Sequence, residues 1–430
     1  MGETDSGELQ ARIEQTIENI KHRVFIIGSV WVEPTSSAAG SRMLQLIQLF
    51  LKQEWEVTFG TTSQKNPNSI DLKKLGVSEV SLKLNDASFD DFVKELNPTV
   101  VLFDRFMTEE QFGWRVSEHC PKTLRILDTE DLHCLRKTRH EALKKGIEFS
   151  DDLLLNSAIA KREIASIYRC DVSLIISSFE MNLLKNVFKV DDQLLCHLPF
   201  FLESINKQRR NEWRSFEERK HFVSIGNFLH APNLDATIQL KKIIWPLIRK
   251  QLPETELHIY GAYPTQQVLQ FHNPKERFYV HGYVDNAKKV IEQSRVLLAP
   301  LRFGAGIKGK LTDSMQCGTP SVTTSLGSEG MHEDVPWNGF IDDTLEEFVE
   351  KAIQLYEEKE IWEKCQQHGI DIINQLYNKE VLERKFLNAI EFAMKNLEQH
   401  RNQNFIGKML MHHSLQSTKY LSKWIEEKNK

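Results

Sequence analysis

The chain has 430 residues, 40% of them apolar, and a formal net charge of −5. That length exceeds what one hydrophobic core ordinarily serves, so two domains are expected. The mild charge argues against a polyanionic partner such as nucleic acid, and no run of about 18 apolar residues offers a membrane-spanning helix.

Residues 1–22 read as a polar, acidic helical lead-in with no apolar core. No secretory signal is read there, and a cytoplasmic location is expected. Short apolar runs then alternate with helical periods. The runs are VFIIGS (24–29), VTFG (57–60), VSLKL (80–84), VVLFD (100–104), LRILD (124–128) and VSLIISS (172–178). Continuous β-branched runs suit a parallel sheet covered on both faces. A helix over 41–52 carries Met43, Leu44, Ile47 and Leu51 on one side. The pattern is a βαβ series, hence an α/β fold.

The alternation pauses in the charged stretch 204–220, which reads as a linker with a solvated face. A second series follows: HFVSIG (221–226), ELHIYG (256–261), RFYVHG (277–282), RVLLAPL (295–301), PSVTTS (320–325) and NGFID (338–342). The domains are therefore drawn at 1–203 and 221–400. A final helix over 401–430 would dock through Ser417, Tyr420, Leu421, Trp424 and Ile425. A basic amphipathic helix lying on a membrane is the weaker reading, so association is peripheral at most. The six cysteines, Cys120, Cys134, Cys170, Cys196, Cys317 and Cys365, are scattered without a CxxC pair. They read as reduced, buried thiols.

Glycines stand at the ends of successive strands, at Gly226, Gly261 and Gly282, with Gly304 in the next loop. Ligands of open α/β sheets bind at that edge. The stretch PLRFGAGIKGK, 300–310, runs from a strand through glycines into a helix. Helix-start amides attract anions. Lys308 and Lys310 oppose the helix dipole unless an anion lies between them and the amides. Arg302 adds a third cation. Residues 304–309 also spell GxGxxG, with Glu329 twenty residues beyond, which leaves an NAD(P)-dependent oxidoreductase as a rival. Against it, the motif follows the fourth strand of its series and no hydride-transfer pair can be placed.

The blocks IGNFLHAPNLDA (225–236), IYGAYP (259–264), VHGYVDN (280–286), PLRFGAGIKGKL (300–311) and CGTPSVTTSLGSEGM (317–331) resemble, in order and spacing, the retaining glycosyltransferases of family 4, the group 1 type. The first domain shares the resemblance more loosely, through VFIIGSVWVEPTSSAAGSRM and LDTEDLHCLR. The resemblance implies a GT-B fold, two Rossmann-like domains facing across a cleft, with the C-terminal helix packing back on the first. It implies a hexose-type transfer from a nucleotide-sugar, UDP or GDP, without a metal; no DxD motif appears, and Asp90–Asp91 and Asp151–Asp152 lie in polar helical contexts.

Residue by residue, the resemblance puts Gly226, Asn227 and Phe228 at the diphosphate, with His230 a further cleft candidate. Gly282, Tyr283 and Val284 would flank the base. Arg302, Lys308 and Lys310 would neutralise the leaving group. His133 would touch the donor sugar, although a structural histidine fits that position equally. Its neighbours Asp131 and Arg136 have weaker claims. Where the family carries two glutamates, this sequence has Ala305 and Asp313. The amides of Gly304, Ala305, Gly306 and Ile307 could substitute, and Glu329 is a second partner for sugar or ribose hydroxyls. Ser36, Ser37 and Gly40 would line the cleft from the first domain, or simply form a capped strand-to-helix turn. A catalytically silent GT-B nucleotide-binding module is the other alternative. The acceptor, whether glycan, lipid-linked, protein or small molecule, leaves no signature.

Overall fold

A computed structural model describes residues 22–428, apart from the side chains of 413–415. The expected lead-in, up to residue 21, lies outside the described residues. Two parallel sheets organise the rest. The first contains β1 (Arg23–Gly28), β2 (Glu56–Thr61), β3 (Ser78–Ser81), β4 (Val100–Asp104), β5 (Leu124–Asp128), β6 (Val172–Ile175) and β7 (Leu195–His197), in the order β3-β2-β1-β4-β5-β6-β7. The second contains β8 (Lys220–Ile225), β9 (Leu257–Tyr260), β10 (Phe278–Gly282), β11 (Ser294–Ala299), β12 (Ser321–Thr323) and β13 (Gly339–Ile341), in the order β10-β9-β8-β11-β12-β13. The α/β class and the paired Rossmann-like architecture are as expected.

The central strands of the first sheet are buried on both faces, whereas β9 and β10 of the second alternate buried with more exposed residues. β4, VVLFD, is buried at every residue. Its alternate side chains enter different cores: Val100 and Leu102 pack with Phe50 and Leu46, Val101 and Phe103 with Phe112 and Leu135. The strand order reverses between β1 and β4, and again between β8 and β11. A reversal opens a crevice at the carboxyl ends of the strands. The loops after those ends meet across the molecule and build the site.

Three features depart from the sequence reading. The chain returns to the first domain before residue 401. Leu202 pairs with Asn378 in a bridge, and the next helix, Lys379–Lys395, buries Leu382, Phe386 and Ile390 beside Phe50. The 204–220 stretch shows the exposed basic face expected, at Lys207, Arg210, Arg214 and Lys220, but two of its residues anchor it. Trp213 packs against Gly318, and Arg219 is fully buried, donating to Thr319 Oγ1 and the Cys317 carbonyl. Burial lowers its guanidinium to about 10. Lastly, the helix Phe405–Lys428 does not dock through the face expected. Tyr420, Leu421 and Trp424 are 64%, 58% and 61% exposed. The contact side carries Ser422 and Glu426, which hold the buried Arg115, and Lys419, which holds Glu118. The buried guanidinium needs anionic and hydroxyl partners, and that requirement sets the rotation of the helix.

Candidate functional site

β11 delivers Ala299 to a loop that ends in the helix Gly309–Gln316. Lys308 occupies the N-cap position of that helix and is buried. Its ammonium donates to the Gly306 carbonyl at 2.9 Å. Burial, opposed by attraction to Glu329, lowers it to about 8. Lys310 lies two residues on and donates to Asn233 Oδ1 at 2.7 Å. Enclosure by the cleft alone lowers its ammonium to about 7. Among the described residues, no carboxylate forms an ion pair with it. A half-buried cation whose hydrogen-bond partner among the described residues is an amide oxygen is a site for an anion.

Asn233 also fixes the first turn of the domain. Its Nδ2 donates to the Asn227 carbonyl at 2.9 Å, and a Cβ on Gly226 would lie 2.6 Å from its side chain. The sequence reading passed over Asn233; its signal was the APNLD block after the GNF turn. Asn227 Nδ2 reaches across to the Ser36 carbonyl at 3.3 Å. Phe228 is buried in the second core and contributes packing. Gly282 takes φ +75 at the end of β10. Tyr283 donates to Thr35 Oγ1 at 3.1 Å, and Val284 is half-buried beside it.

Several expected donor contacts are already occupied. Arg302 is 43% exposed and forms a two-pronged pair with Asp235. Its charge is met there rather than beside the lysines. Both oxygens of Glu329 take Arg139 of the first domain at 2.8 Å. Arg139 also donates to the Gly304 carbonyl at 3.0 Å. The Gly306 amide donates to Glu180 Oε1 at 2.9 Å, as does Leu132 N–H. Burial, with Asp131 nearby, raises the Glu180 carboxyl to about 8. Ala305 packs into the first-domain core and Ile307 against Ile176. Asp313 is half-buried, with Lys288 4.0 Å away, and burial raises its carboxyl against that attraction. The loop therefore serves largely as a domain contact. Glu180 and Arg139 were missed because their partners lie 126 and 190 residues distant.

Two glycines set how closely the domains approach. Gly306 takes φ +64, and a Cβ there would stand 2.8 Å from Asp131 Cβ. At Gly309 it would stand 2.7 Å from Ala38 Cβ. Gly306→Ala adds left-handed strain to the clash, so it is expected to raise the KM for the donor and lower the melting temperature. A variant with unchanged KM would show that this contact does not govern the cleft.

The first domain faces this loop with the ends of β1, β5 and β6. Ser37 caps the helix Ala38–Lys52, accepting from Gly40 N–H at 3.0 Å. Ser36 donates to Glu33 Oε2 at 2.6 Å, and a Cβ on Gly40 would meet the Glu33 carbonyl at 2.3 Å. These three residues shape the turn. Tyr263 of the second domain donates to Glu33 Oε2 at 2.9 Å.

His133 begins the helix His133–Lys145, edge-on to Phe106. Its Nε2 lies 3.4 Å from Asp131 Oδ1. Arg136 grips Asp131 at 2.6 and 3.2 Å. Burial works to raise the Asp131 carboxyl, but Arg136 and His133 outweigh it and hold it well below the usual range. Burial, opposed by Asp131, lowers His133 to about 4, so its imidazole is neutral at pH 7. His230 comes from the second domain. It is exposed to the cleft, yet desolvation and the Arg136 charge lower it. Asp131, Lys310 and His133 also act on His230, so the structure gathers these four with Arg136 from both domains.

Behind them Arg42 and Asp128 form a buried ion pair at 3.0 Å. Arg105 and Glu130, each just past a strand end, have φ +72 and +62. Such conformations are costly for non-glycine residues and concentrate at functional sites.

Residues 219–358 match the family model described as "Glycosyl transferases group 1". No curated protein matches. Among solved structures, a mutant of S. aureus TarM in complex with Fondaparinux, alpha-GlcNAc-glycerol and UDP is similar at TM-score 0.64 and 11% identity, covering 86% of this chain and 99% of that one. Sucrose-phosphate synthase from Thermosynechococcus elongatus gives TM-score 0.63 and 13% identity over 86% and 99%. Anabaena Alr3699/HepE in complex with UDP and glucose gives 0.62 and 11% over the same shares. At such identities the likeness shows the fold, with two sheets facing across a cleft.

Proposed function

We propose, for a glycosyltransferase of the GT-B type whose residues 219–358 belong to the group 1 family, that the chain moves a hexose-type sugar from a nucleoside diphosphate donor to an acceptor hydroxyl, with retention and without a metal. The anomeric carbon loses its bond to the diphosphate oxygen and gains one to the acceptor oxygen. The acceptor proton passes to the leaving diphosphate. Negative charge grows on that diphosphate in the transition state, and positioned cations and amides stabilise it. UDP or GDP is the donor nucleotide favoured by the family resemblance.

One observation carries the reading. Lys310 is half-buried, has no carboxylate partner among the described residues, and stands with Lys308 at the start of a helix below a strand's carboxyl end. That arrangement suits a diphosphate. Neutral His133 and the Asp131–Arg136 pair lie opposite, on the side where the sugar would project. The oxidoreductase reading loses ground, because the 304–309 glycines hold the two domains together instead of forming an open turn.

Thermal-shift titration with UDP, GDP, ADP and NAD tests the assignment. A nucleoside diphosphate is expected to raise the melting temperature, and donor hydrolysis should follow for one nucleotide-sugar. Stabilisation by NAD alone would overturn it. Stabilisation by UDP with no turnover on any donor or acceptor would favour the silent module, a reading that Ala305 and the engaged Glu329 support.

A further inference from the structure

The second sheet carries another polar cluster, at the amino ends of its strands and so on the rim opposite the cleft. His221 follows the first residue of β8, Glu256 precedes β9, and His258 lies within it. Phe222 pairs with Leu257, which sets His221 beside Glu256. Glu256 and His258 are two residues apart in extended chain and share one face. All three are half-buried.

Their ligand atoms converge. Glu256 Oε2 lies 3.1 Å from His258 Nε2 and 3.6 Å from His221 Nε2. One nitrogen or oxygen from each of the three falls within 4.8 Å of the other two. A tetrahedral zinc with bonds of about 2.0–2.1 Å holds its ligand atoms roughly 3.3 Å apart. The two carboxylate–imidazole separations bracket that spacing. The other carboxylate oxygen, Glu256 Oε1, has Arg277 3.8 Å away, which leaves Oε2 to the cluster.

We propose that His221, Glu256 and His258 form a binding site for one divalent transition-metal ion of the zinc type, fastening β8 to β9. Two imidazoles and a carboxylate suit that class of ion, with solvent in the fourth position. His281 of β10 supports the site from behind. Its Nε2 lies 2.8 Å from His258 Nδ1, the second-layer contact that orients a metal-bound imidazole. Stacking of His258 on His281 and Tyr279 limits the ring's freedom.

The proton balance closes. Without metal, His281 Nε2–H donates to His258 Nδ1, and His258 Nε2–H donates to Glu256. With metal on His258 Nε2, its Nδ1–H donates to His281 Nε2, and His281 carries its own proton on Nδ1. Each ring exchanges one N–H for the other and stays neutral. His221 likewise moves its proton from Nε2 to Nδ1, loses the 3.2 Å bond that Nδ1 accepts from the Glu256 amide, and turns its ring so that Nδ1–H points away from that amide. The ion has no part in sugar transfer.

The test is calorimetric titration of untagged, chelator-treated full-length protein with ZnCl₂. One zinc per chain is expected, with a melting temperature that rises on zinc addition. His281→Ala is expected to weaken binding about 10–100-fold. His258→Ala and Glu256→Gln should abolish the site while nucleotide binding at the far rim persists. Glu256→Gln keeps the side chain's shape and serves if His258→Ala does not fold. No saturable uptake by the wild type would overturn the proposal. So would equal uptake by the His221→Ala and Glu256→Gln variants, which would place the zinc on other histidines.

Discussion

Lys310→Met is expected to lower kcat/KM for the donor by about 10²–10³-fold, the usual cost of removing one positioned group that stabilises developing negative charge. The same variant should be at least as stable as the wild type. Lys310 is a half-buried cation that donates to Asn233 Oδ1 at 2.7 Å and has no ion pair among the described residues, and methionine removes an uncompensated charge while keeping length and apolar volume. Activity and stability thus move apart, which separates a ligand-binding role from a structural one. The pH dependence gives a second readout. The ammonium is lowered to about 7 in the fold, against about 10.4 in an unfolded chain. Between those values the unfolded state binds more protons, so this group makes the free protein more stable as pH rises through that window. A bound diphosphate favours the ammonium, so nucleotide affinity should fall as pH rises above about 7. Isothermal titration of UDP or GDP at stepped pH measures this. A slope unchanged in Lys310→Met would remove Lys310 from the site.

Asp128→Ala is expected to cost about 3–5 kcal/mol, the penalty for breaking a buried ion pair and leaving one charge alone. Arg42 and Asp128 are 2% and 0% exposed, and the pair joins the first helix to the end of β5. Arg42 also donates to the Leu198 carbonyl at 2.7 Å, where the chain leaves β7 for the second domain. For a domain of this size such a loss corresponds to a drop of very roughly 6–20 °C in melting temperature. Scanning calorimetry should show it in the first-domain transition. Replacing both partners, in Arg42→Met with Asp128→Leu, should recover much of the loss, because desolvation of the two ions is then avoided. If the single variant melts like the wild type, the pair is not buried in solution.

The strands were legible where β-branched residues run together. VVLFD and LRILD appear in the fold with the expected bounds, 100–104 and 124–128. β7, only Leu195–His197, gave no run long enough to read, and the third strand is Ser78–Ser81 rather than 80–84. Both are edge strands of the first sheet, where pairing on one side demands less of the sequence. The final helix showed the opposite failure. Its apolar stripe was visible, but a buried arginine on another helix chose the face that docks.

The sequence by itself determined the α/β class, the two sheet series and the placing of Lys308 and Lys310 at a helix start, because periodicity, glycine turns and helix caps act over a few residues. The tertiary structure decided which charges remain free. Asp235 takes Arg302 from 67 residues away, Arg139 takes Glu329 from 190, and Glu180 takes the Gly306 amide from 126. A charged side chain goes to whichever counter-charge the fold brings near, and only the packing of the two domains brings these together. Among the described residues, Lys308 and Lys310 are left without an ion-pair partner, and on Lys310, the one that reaches a side-chain amide rather than its own loop, the candidate site rests.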